Sequence, residues 1–139
     1  MTLYRLKNII EDIVNTHPHF RQFNEGSVYD INDLENINYP LFNFHVNYIQ
    51  GINESTMKMN INFIYLDRLI NDFSNKLLIQ SDGIVYLNEV INSLDDYGID
   101  VETGYQFTPF TQSVNDVTAG VFVTLNLQVT NNLGDCNEY

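Results

Sequence analysis

The chain has 139 residues, a length typical of one domain with a single core, and its 44% hydrophobic content argues against disorder. Its net charge is −12, and all six basic residues lie within the first 76 positions, so the remainder holds nine acidic residues and neither Lys nor Arg. Because Lys and Arg are the residues that hold phosphate backbones, this charge distribution disfavours a protein that grips nucleic acid.

Two interpretations of the acidic excess remain open. It can keep the protein soluble, which is the commoner case, or it can form a surface past which DNA moves without being held. The single Cys136 allows no intramolecular disulfide, so we expect a chain that folds in a reducing cytoplasm. Charged residues interrupt the apolar N-terminal segment, which predicts neither a signal peptide nor a membrane span.

The first 16 residues predict an amphipathic helix. Thr2 is a candidate N-cap, and apolar residues recur on one face of the following segment, namely Leu3, Leu6, Ile9, Ile10, Ile13 and Val14. We expect the helix to end at about Thr16, because Pro18 lacks the N–H that a helix interior requires.

Three strands are expected before the middle of the chain. Gly26–Ile31 is a candidate short strand, whereas Leu41–Tyr48 and Met57–Tyr65 alternate apolar and polar residues. The turn segment Gln50–Ser55 joins the last two, which predicts an antiparallel hairpin. Alternation places Phe44 and Tyr48 on one face. For each aromatic residue of the hairpin we favour core packing over subunit contact: Phe42, Phe44, Tyr48, Phe63 and Tyr65.

The second half of the chain predicts one more helix and two more strands. The helix extends from Lys76 to Tyr97, with apolar residues at helical spacing and Gly98 as its terminator. The spaced residues are Leu77, Ile84, Leu87, Val90, Ile91 and Leu94. Gly83 inside this helix is expected to cost about 1 kcal/mol relative to Ala. A strand over Tyr105–Thr111 follows, and Pro109 restricts it to an edge or a strand end.

The longest regular pattern covers residues 117–130. Every second residue in the first thirteen is apolar: Val117, Ala119, Val121, Val123, Leu125, Leu127 and Val129. This period of two predicts a strand of about 45 Å, at about 3.3 Å per residue, with one buried face. The element order α-β-β-β-α-β-β predicts one α+β domain over residues 1–139. We expect a mostly antiparallel sheet of about five strands with two helices packed on one face.

Candidate chemical residues are few. His17 and His19 flank a proline without a third ligand nearby, so we expect them to finish the helix and face solvent rather than bind a metal. The carboxylates Asp95, Asp96, Asp100 and Glu102 lack the spacing of a calcium loop and predict a solvated segment. No phosphate loop or hydrolase motif occurs. The sequence therefore predicts no catalytic, cofactor-binding or metal-binding residues, and a protein that is not an enzyme.

Four segments resemble a known class of viral proteins. They are TLYRLKNIIEDIVNTHP, the hairpin around Tyr39-Pro40-Leu41, FIYLDRLINDFSNKLLIQSD, and FTPFTQSVNDVTAGVFVTLNLQV. Together they are similar to the head-to-tail ring, or tail-terminator-like, proteins in the neck of tailed bacteriophages, including the crAss-like and other phages of Bacteroides. The likeness covers nearly the whole chain and lies in the order of segments rather than in an active-site motif.

This resemblance implies a structural virion protein of tail-terminator-like fold. Such a protein forms a homo-oligomeric ring between portal and tail, with twelve subunits in a short-tailed phage neck or six in a long-tailed phage. Its partners are copies of itself, adjacent connector, ring and tail proteins, and DNA that passes without sequence-specific binding; no membrane is involved. It is made in the host bacterial cytoplasm and resides in the virion neck or tail. The alternative is a small ligand-binding or hydrolase domain without a recognisable motif.

Overall fold

The computed structural model describes residues 1–27, 31, 36–70, 72–112 and 117–130. Its elements are α1 (Leu3–Thr16), β1 (Gln22–Glu25), β2 (Leu41–Gly51), β3 (Thr56–Arg68), α2 (Lys76–Leu94), β4 (Asp100–Val101), β5 (Phe107–Gln112) and β6 (Thr118–Thr130). A 3₁₀ turn over Asp95–Tyr97 follows α2 directly. Within the described residues, these two helices and six strands confirm the predicted α+β class.

The six strands form one sheet. Its order is β1-β2-β3-β6, and both β4 and β5 pair with the far edge of β6. β1 is parallel to β2, whereas the other pairings among the described strands are antiparallel. The predicted β2–β3 hairpin is therefore confirmed. Among the described strands β5 pairs with β6 alone, so the edge position predicted from Pro109 is confirmed as well.

The long strand β6 forms the centre of the sheet. It pairs with β3 without interruption, from Thr118 opposite Arg68 to Thr130 opposite Thr56. Its alternate residues Ala119 to Val129 are buried and belong to the same apolar cluster as the inner faces of both helices. The predicted orientation of β6, with its apolar face against the helices, is thus confirmed, except for Val117, which precedes the strand and is exposed.

Both helices cover the same face of the sheet, as expected. At the start of α1, the Thr2 hydroxyl oxygen accepts a hydrogen bond from the Arg5 backbone N–H at 3.1 Å and satisfies a donor that has no partner inside the helix. The α1 residues Leu6, Ile9, Ile10, Ile13 and Val14 are buried. Leu3 was expected on this face but is exposed.

Gly83 is a packing residue of α2 rather than a defect. A Cβ atom added to it would lie 2.6 Å from Cδ1 of Tyr65 and 3.2 Å from Cγ2 of Val121. The helix therefore approaches the sheet more closely here than a side chain permits. The expected cost to helix propensity is real, but packing across the interface requires the glycine.

Two predicted elements were misplaced, and one short strand was not predicted. The first strand is Gln22–Glu25 rather than Gly26–Ile31, of which residues 28–30 lie outside the described part of the chain. The second helix ends at Leu94 rather than Tyr97, and the 3₁₀ turn ends at Gly98, which has a left-handed φ of 74°. The two-residue strand β4 was not predicted, because so short a segment carries no periodicity.

A β-bulge in β2 corrects the assignment of its aromatic residues. The register shifts between Val46 and Tyr48, so that Phe44 pairs with Phe63 and Tyr48 pairs with Asn60. One extra residue in a strand inverts the side of every later side chain. Phe44 therefore faces the helices, and Tyr48 faces the opposite side of the sheet, contrary to simple alternation.

Candidate assembly surfaces

Helix α2 is apolar on its outer side as well as on its buried side. Its inner positions include Ile79, Leu87, Val90, Ile91 and Leu94, all of them buried. The outer positions Leu77 and Leu78 are 72% and 63% exposed, and Ile84 and Val85 continue the same stripe two turns later. Leu77 and Ile84 were predicted at the spacing of a core face, and this prediction was wrong. An exposed apolar stripe on a helix is a candidate contact surface, here beside the exposed polar residues Ser81 and Glu89.

The turn before α2 extends this apolar surface. Ile70 is exposed, and Phe73 has 53% of its surface exposed with a left-handed φ of 58°. A bulky residue rarely adopts that conformation, which costs about 1–2 kcal/mol, and backbone strain of this kind often occurs at functional surfaces. We call Ile70, Phe73, Leu77, Leu78, Ile84 and Val85 the α2 patch; the exposed Asp72 lies among them.

A second exposed apolar surface lies at the far end of the β2–β3 hairpin. Tyr48 is 49% exposed, and Ile49 and Ile52 are exposed beside it. β1 pairs with β2 only over residues 41–44, so the distal half of β2 is a sheet edge among the described strands. We call Tyr48, Ile49 and Ile52 the hairpin tip. The other aromatic candidates of the hairpin, Phe42, Phe44, Phe63 and Tyr65, are buried in the core, as favoured.

The two surfaces lie at opposite ends of the subunit. The hairpin turn precedes Thr56, the first residue of β3, and the α2 patch begins just after Arg68, its last residue. Thirteen residues of strand separate these ends, which is roughly 40 Å at about 3.3 Å per residue. A hydrogen bond from the Gln80 side chain to the Phe110 carbonyl, 3.2 Å long, holds the first turns of α2 over this lower end of the sheet.

The sheet face opposite the helices carries a lattice of amide side chains. Asn47 donates hydrogen bonds to the side-chain oxygens of Asn60 at 2.8 Å and Asn62 at 3.1 Å. Asn60 donates to Asn126 at 2.8 Å, and the Thr124 hydroxyl donates to Asn62 at 2.7 Å. The lattice links β2, β3 and β6 with groups that carry no charge. We call these five residues the asparagine lattice.

Three charged residues lie beside the asparagine lattice: Lys58, Glu102 and the exposed Asp100, which pairs with Gln128 next to Lys58. Lys58 Nζ lies 3.8 Å from Glu102 Oε2, so these two charges offset each other. At the lower end of the same sheet face, a small apolar cluster forms around Leu41, Ile64 and Leu66. The upper part of this face is consequently polar, with a small acidic excess from Asp100.

The two histidines predicted to face solvent differ in environment. The His17 side chain is largely buried, and its Nε2 lies 2.5 Å from the Glu89 carboxylate of α2, so this prediction was wrong for His17. His19 is exposed but stacks on the Tyr86 ring with centroids 4.4 Å apart. Together these contacts tie the end of α1 to α2, which is a structural role.

One acidic side chain lies under α2 in an unfavourable environment. Burial raises the pKa of the Asp67 carboxyl, and the nearby Asp82 adds to this effect, while a hydrogen bond from the Arg68 backbone N–H opposes it. Burial also raises the pKa of Tyr65 above its ordinary value, with Asp67, Tyr86 and Asp82 contributing in the same direction. These groups pack the interface of β3 with α2.

Two arginines line one open depression of about 670 Å³ next to this region. Arg21 and Arg68 lie around it with Tyr39, and the Arg68 guanidinium sits 5.4 Å from the centre of the Tyr39 ring. Asp67 lines the same depression, so its charge partly offsets theirs.

The predicted acidic cluster is exposed, as expected. Asp95 and Asp96 lie in the 3₁₀ turn, and Asp100 and Glu102 flank or form β4. Among the described residues, no group of three or more His, Cys, Asp or Glu is arranged to hold a metal ion. Cys136 lies outside the described part of the chain.

No protein-family model matches the chain, and no curated protein matches it significantly. None of the described helices combines the length and apolarity needed to cross a membrane.

Proposed function

We propose that this chain is a structural subunit of a homo-oligomeric ring in the neck of a tailed bacteriophage, where the ring joins portal to tail around the DNA channel. The observation that carries the proposal is the pair of exposed apolar surfaces at opposite ends of one subunit. Single exposed apolar residues are ordinary, but contiguous apolar patches mark interaction sites.

The placement of the two surfaces favours a ring over a symmetric dimer. A two-fold dimer uses the same surface on both partners, whereas two different surfaces on one subunit support a heterologous contact. Repetition of such a contact gives a closed ring when the rotation per subunit closes, and a filament when it does not. The resemblance of the sequence to phage neck proteins supports the closed form.

The surface chemistry suits a channel through which DNA passes. The chain carries a net charge of −12, and the exposed sheet face presents the uncharged asparagine lattice with the offset pair Lys58–Glu102 beside it. Phosphate backbones are retained by unpaired Lys and Arg side chains. A ring whose inner surface lacks such side chains lets DNA move without being held.

The experiment that tests this proposal is size-exclusion chromatography with light scattering, followed by negative-stain electron microscopy. We expect a particle of six or twelve subunits with a central opening. A protein that stays monomeric at millimolar concentration, or that forms open filaments alone, contradicts the ring. Deletion of the gene in its phage is expected to yield DNA-filled heads without tails, whereas normal virions contradict the neck location.

A further inference from the structure

A polar depression opens at the edge of the sheet between β4 and β5. β4 pairs with residues 127–128 of β6 and β5 with residues 118–123, so residues 102–106 leave the ladder between them. The backbone N–H of Glu102 donates to the Asn126 carbonyl at 2.9 Å, and Gly104 turns the segment with a left-handed φ of 89°. The depression encloses about 390 Å³, within the range of small-molecule sites, and we call it the β6 depression.

The asparagine lattice orients the two polar side chains that β6 contributes to the depression. Asn47 donates to Asn60, which in turn donates to the Asn126 side-chain oxygen at 2.8 Å. Asn126 Nδ2 therefore remains as a donor with no partner among the described residues. The Thr124 hydroxyl donates to Asn62 at 2.7 Å, so only its oxygen lone pairs are left for a ligand. One oriented donor and one oriented acceptor thus lie two residues apart on the same strand.

The remaining lining residues are mostly uncharged and of two kinds. The Thr103 and Thr108 hydroxyls and the Gln106 amide each both donate and accept hydrogen bonds. The rings of Tyr105 and Phe122 are half-buried and add apolar surface. Edge-on packing on Phe107, with centroids 5.8 Å apart, holds the Tyr105 ring in place.

The charges around the β6 depression restrict the class of ligand. Glu102 is the charged residue among those that line it, Asp100 lies nearby, and no Lys or Arg of the described residues lines it. An anionic ligand would therefore meet like charge without a cation to hold it. A wholly apolar ligand would leave Asn126 Nδ2 and the Thr124 oxygen buried without partners. A neutral ligand that has both polar groups and an apolar face satisfies every lining group.

We propose that the β6 depression binds a neutral saccharide. Sugar hydroxyls both donate and accept, so one hydroxyl accepts from Asn126 Nδ2 while its neighbour donates to the Thr124 oxygen. The C–H groups of a sugar ring form an apolar face, which packs on the Tyr105 ring. All of these residues belong to one subunit, so the site does not depend on the ring function, and its test is separate from the test of the ring.

Saturation-transfer difference NMR on the purified full chain tests for binding, because it observes the ligand and works for a monomer or a large ring. The probes are glucose, galactose, N-acetylglucosamine and cellobiose. We expect at least one to bind with a dissociation constant on the order of 1 mM. Glucose 6-phosphate and glycerol are expected to bind at least about tenfold more weakly than the best of these sugars, since one adds negative charge and the other lacks a ring.

Substitutions locate the bound sugar. Asn126→Leu removes the oriented donor and should weaken binding about tenfold, and Gln106→Ala, at an exposed loop position, should weaken it about threefold. Gln128→Ala is the matched control, because Gln128 is exposed on the same face of β6 but does not line the depression. Its affinity should equal that of the wild type. Thermal melts establish that each variant is folded, and Gln106→Ala tests the site by itself if Asn126→Leu is not.

Three outcomes overturn the proposal. In the first, none of the four sugars binds. In the second, glycerol or glucose 6-phosphate binds as well as the best sugar, which shows an unspecific polar surface. In the third, a sugar binds but its affinity is unchanged in the folded variants of Asn126 and Gln106, which places it elsewhere on the molecule.

Discussion

Val123 and Thr124 are neighbours on β6 that face opposite sides of the sheet, and aspartate at each position tests the assigned faces. Val123 is fully buried in the main apolar cluster, opposite Phe63 of β3. Thr124 is exposed on the other face, where its hydroxyl donates to Asn62. The two substitutions introduce the same charge one residue apart, so their difference reports burial rather than strand propensity.

The magnitude for Val123→Asp follows from two losses. Removing a buried valine forfeits about 1.5–3 kcal/mol of apolar burial. A carboxyl in this apolar site is expected to have its pKa raised by about three units, which costs on the order of 4 kcal/mol at pH 7. The sum of on the order of 6 kcal/mol is a large part of the roughly 5–15 kcal/mol that stabilises a domain. Thr124→Asp loses one exposed hydrogen bond, worth about 1 kcal/mol.

Urea unfolding followed by circular dichroism measures both changes. We expect the Val123→Asp chain to be unfolded or insoluble and the Thr124→Asp chain to resemble the wild type. If the first variant folds sufficiently to be measured, its deficit should shrink as the pH falls towards about 4. The carboxyl is then protonated in the folded state and about half protonated in the unfolded state, so its ionisation favours unfolding much less. Equal stability of the two variants at pH 7 would show that the faces of β6 are reversed.

Three further predictions concern the core, the titration of one carboxyl and the charge of the surface. Gly83→Ala should lower the free energy of unfolding by about 1–2 kcal/mol despite the gain in helix propensity, because its Cβ collides with Tyr65, whereas Gly51→Ala, with open space around it, should be nearly neutral in thermal melts. Asp67→Asn should raise the melting temperature at pH 7 but not near pH 4, because a carboxyl whose pKa is raised in the folded state disfavours folding once it ionises. Equal gains in melting temperature at both pH values would contradict this reasoning. The purified protein should show no binding of duplex DNA at low salt in fluorescence anisotropy, and micromolar binding that weakens steeply with salt would reveal a basic surface that the fold assembles.

The candidate assembly surfaces show which exposed residues sequence periodicity can predict and which it cannot. The run Leu77-Leu78-Ile79 is apolar throughout, so periodicity alone cannot decide that Ile79 is buried and its two neighbours are exposed. A signal was present, because the α2 sequence carries more apolar residues than its one buried face can hold. Of the hairpin tip, Ile52 fell in the predicted turn and Tyr48 at the end of a predicted strand. The exposure of Tyr48 depended on a bulge that the alternation of β2 does not reveal.

The sequence by itself determined the elements whose pattern is local and long. The 13-residue alternation of β6 specified both a strand and its buried face, and Thr2 and Pro18 bracketed α1, since caps and side-chain periods act within a few residues. Only the tertiary structure decided the place of β1 and β4 in the sheet, the close approach at Gly83, and the location of two apolar surfaces at opposite ends of β3. These features depend on contacts between residues that are distant in the chain. Packing across such contacts decides which side of a helix or strand is exposed to solvent, and local preference does not.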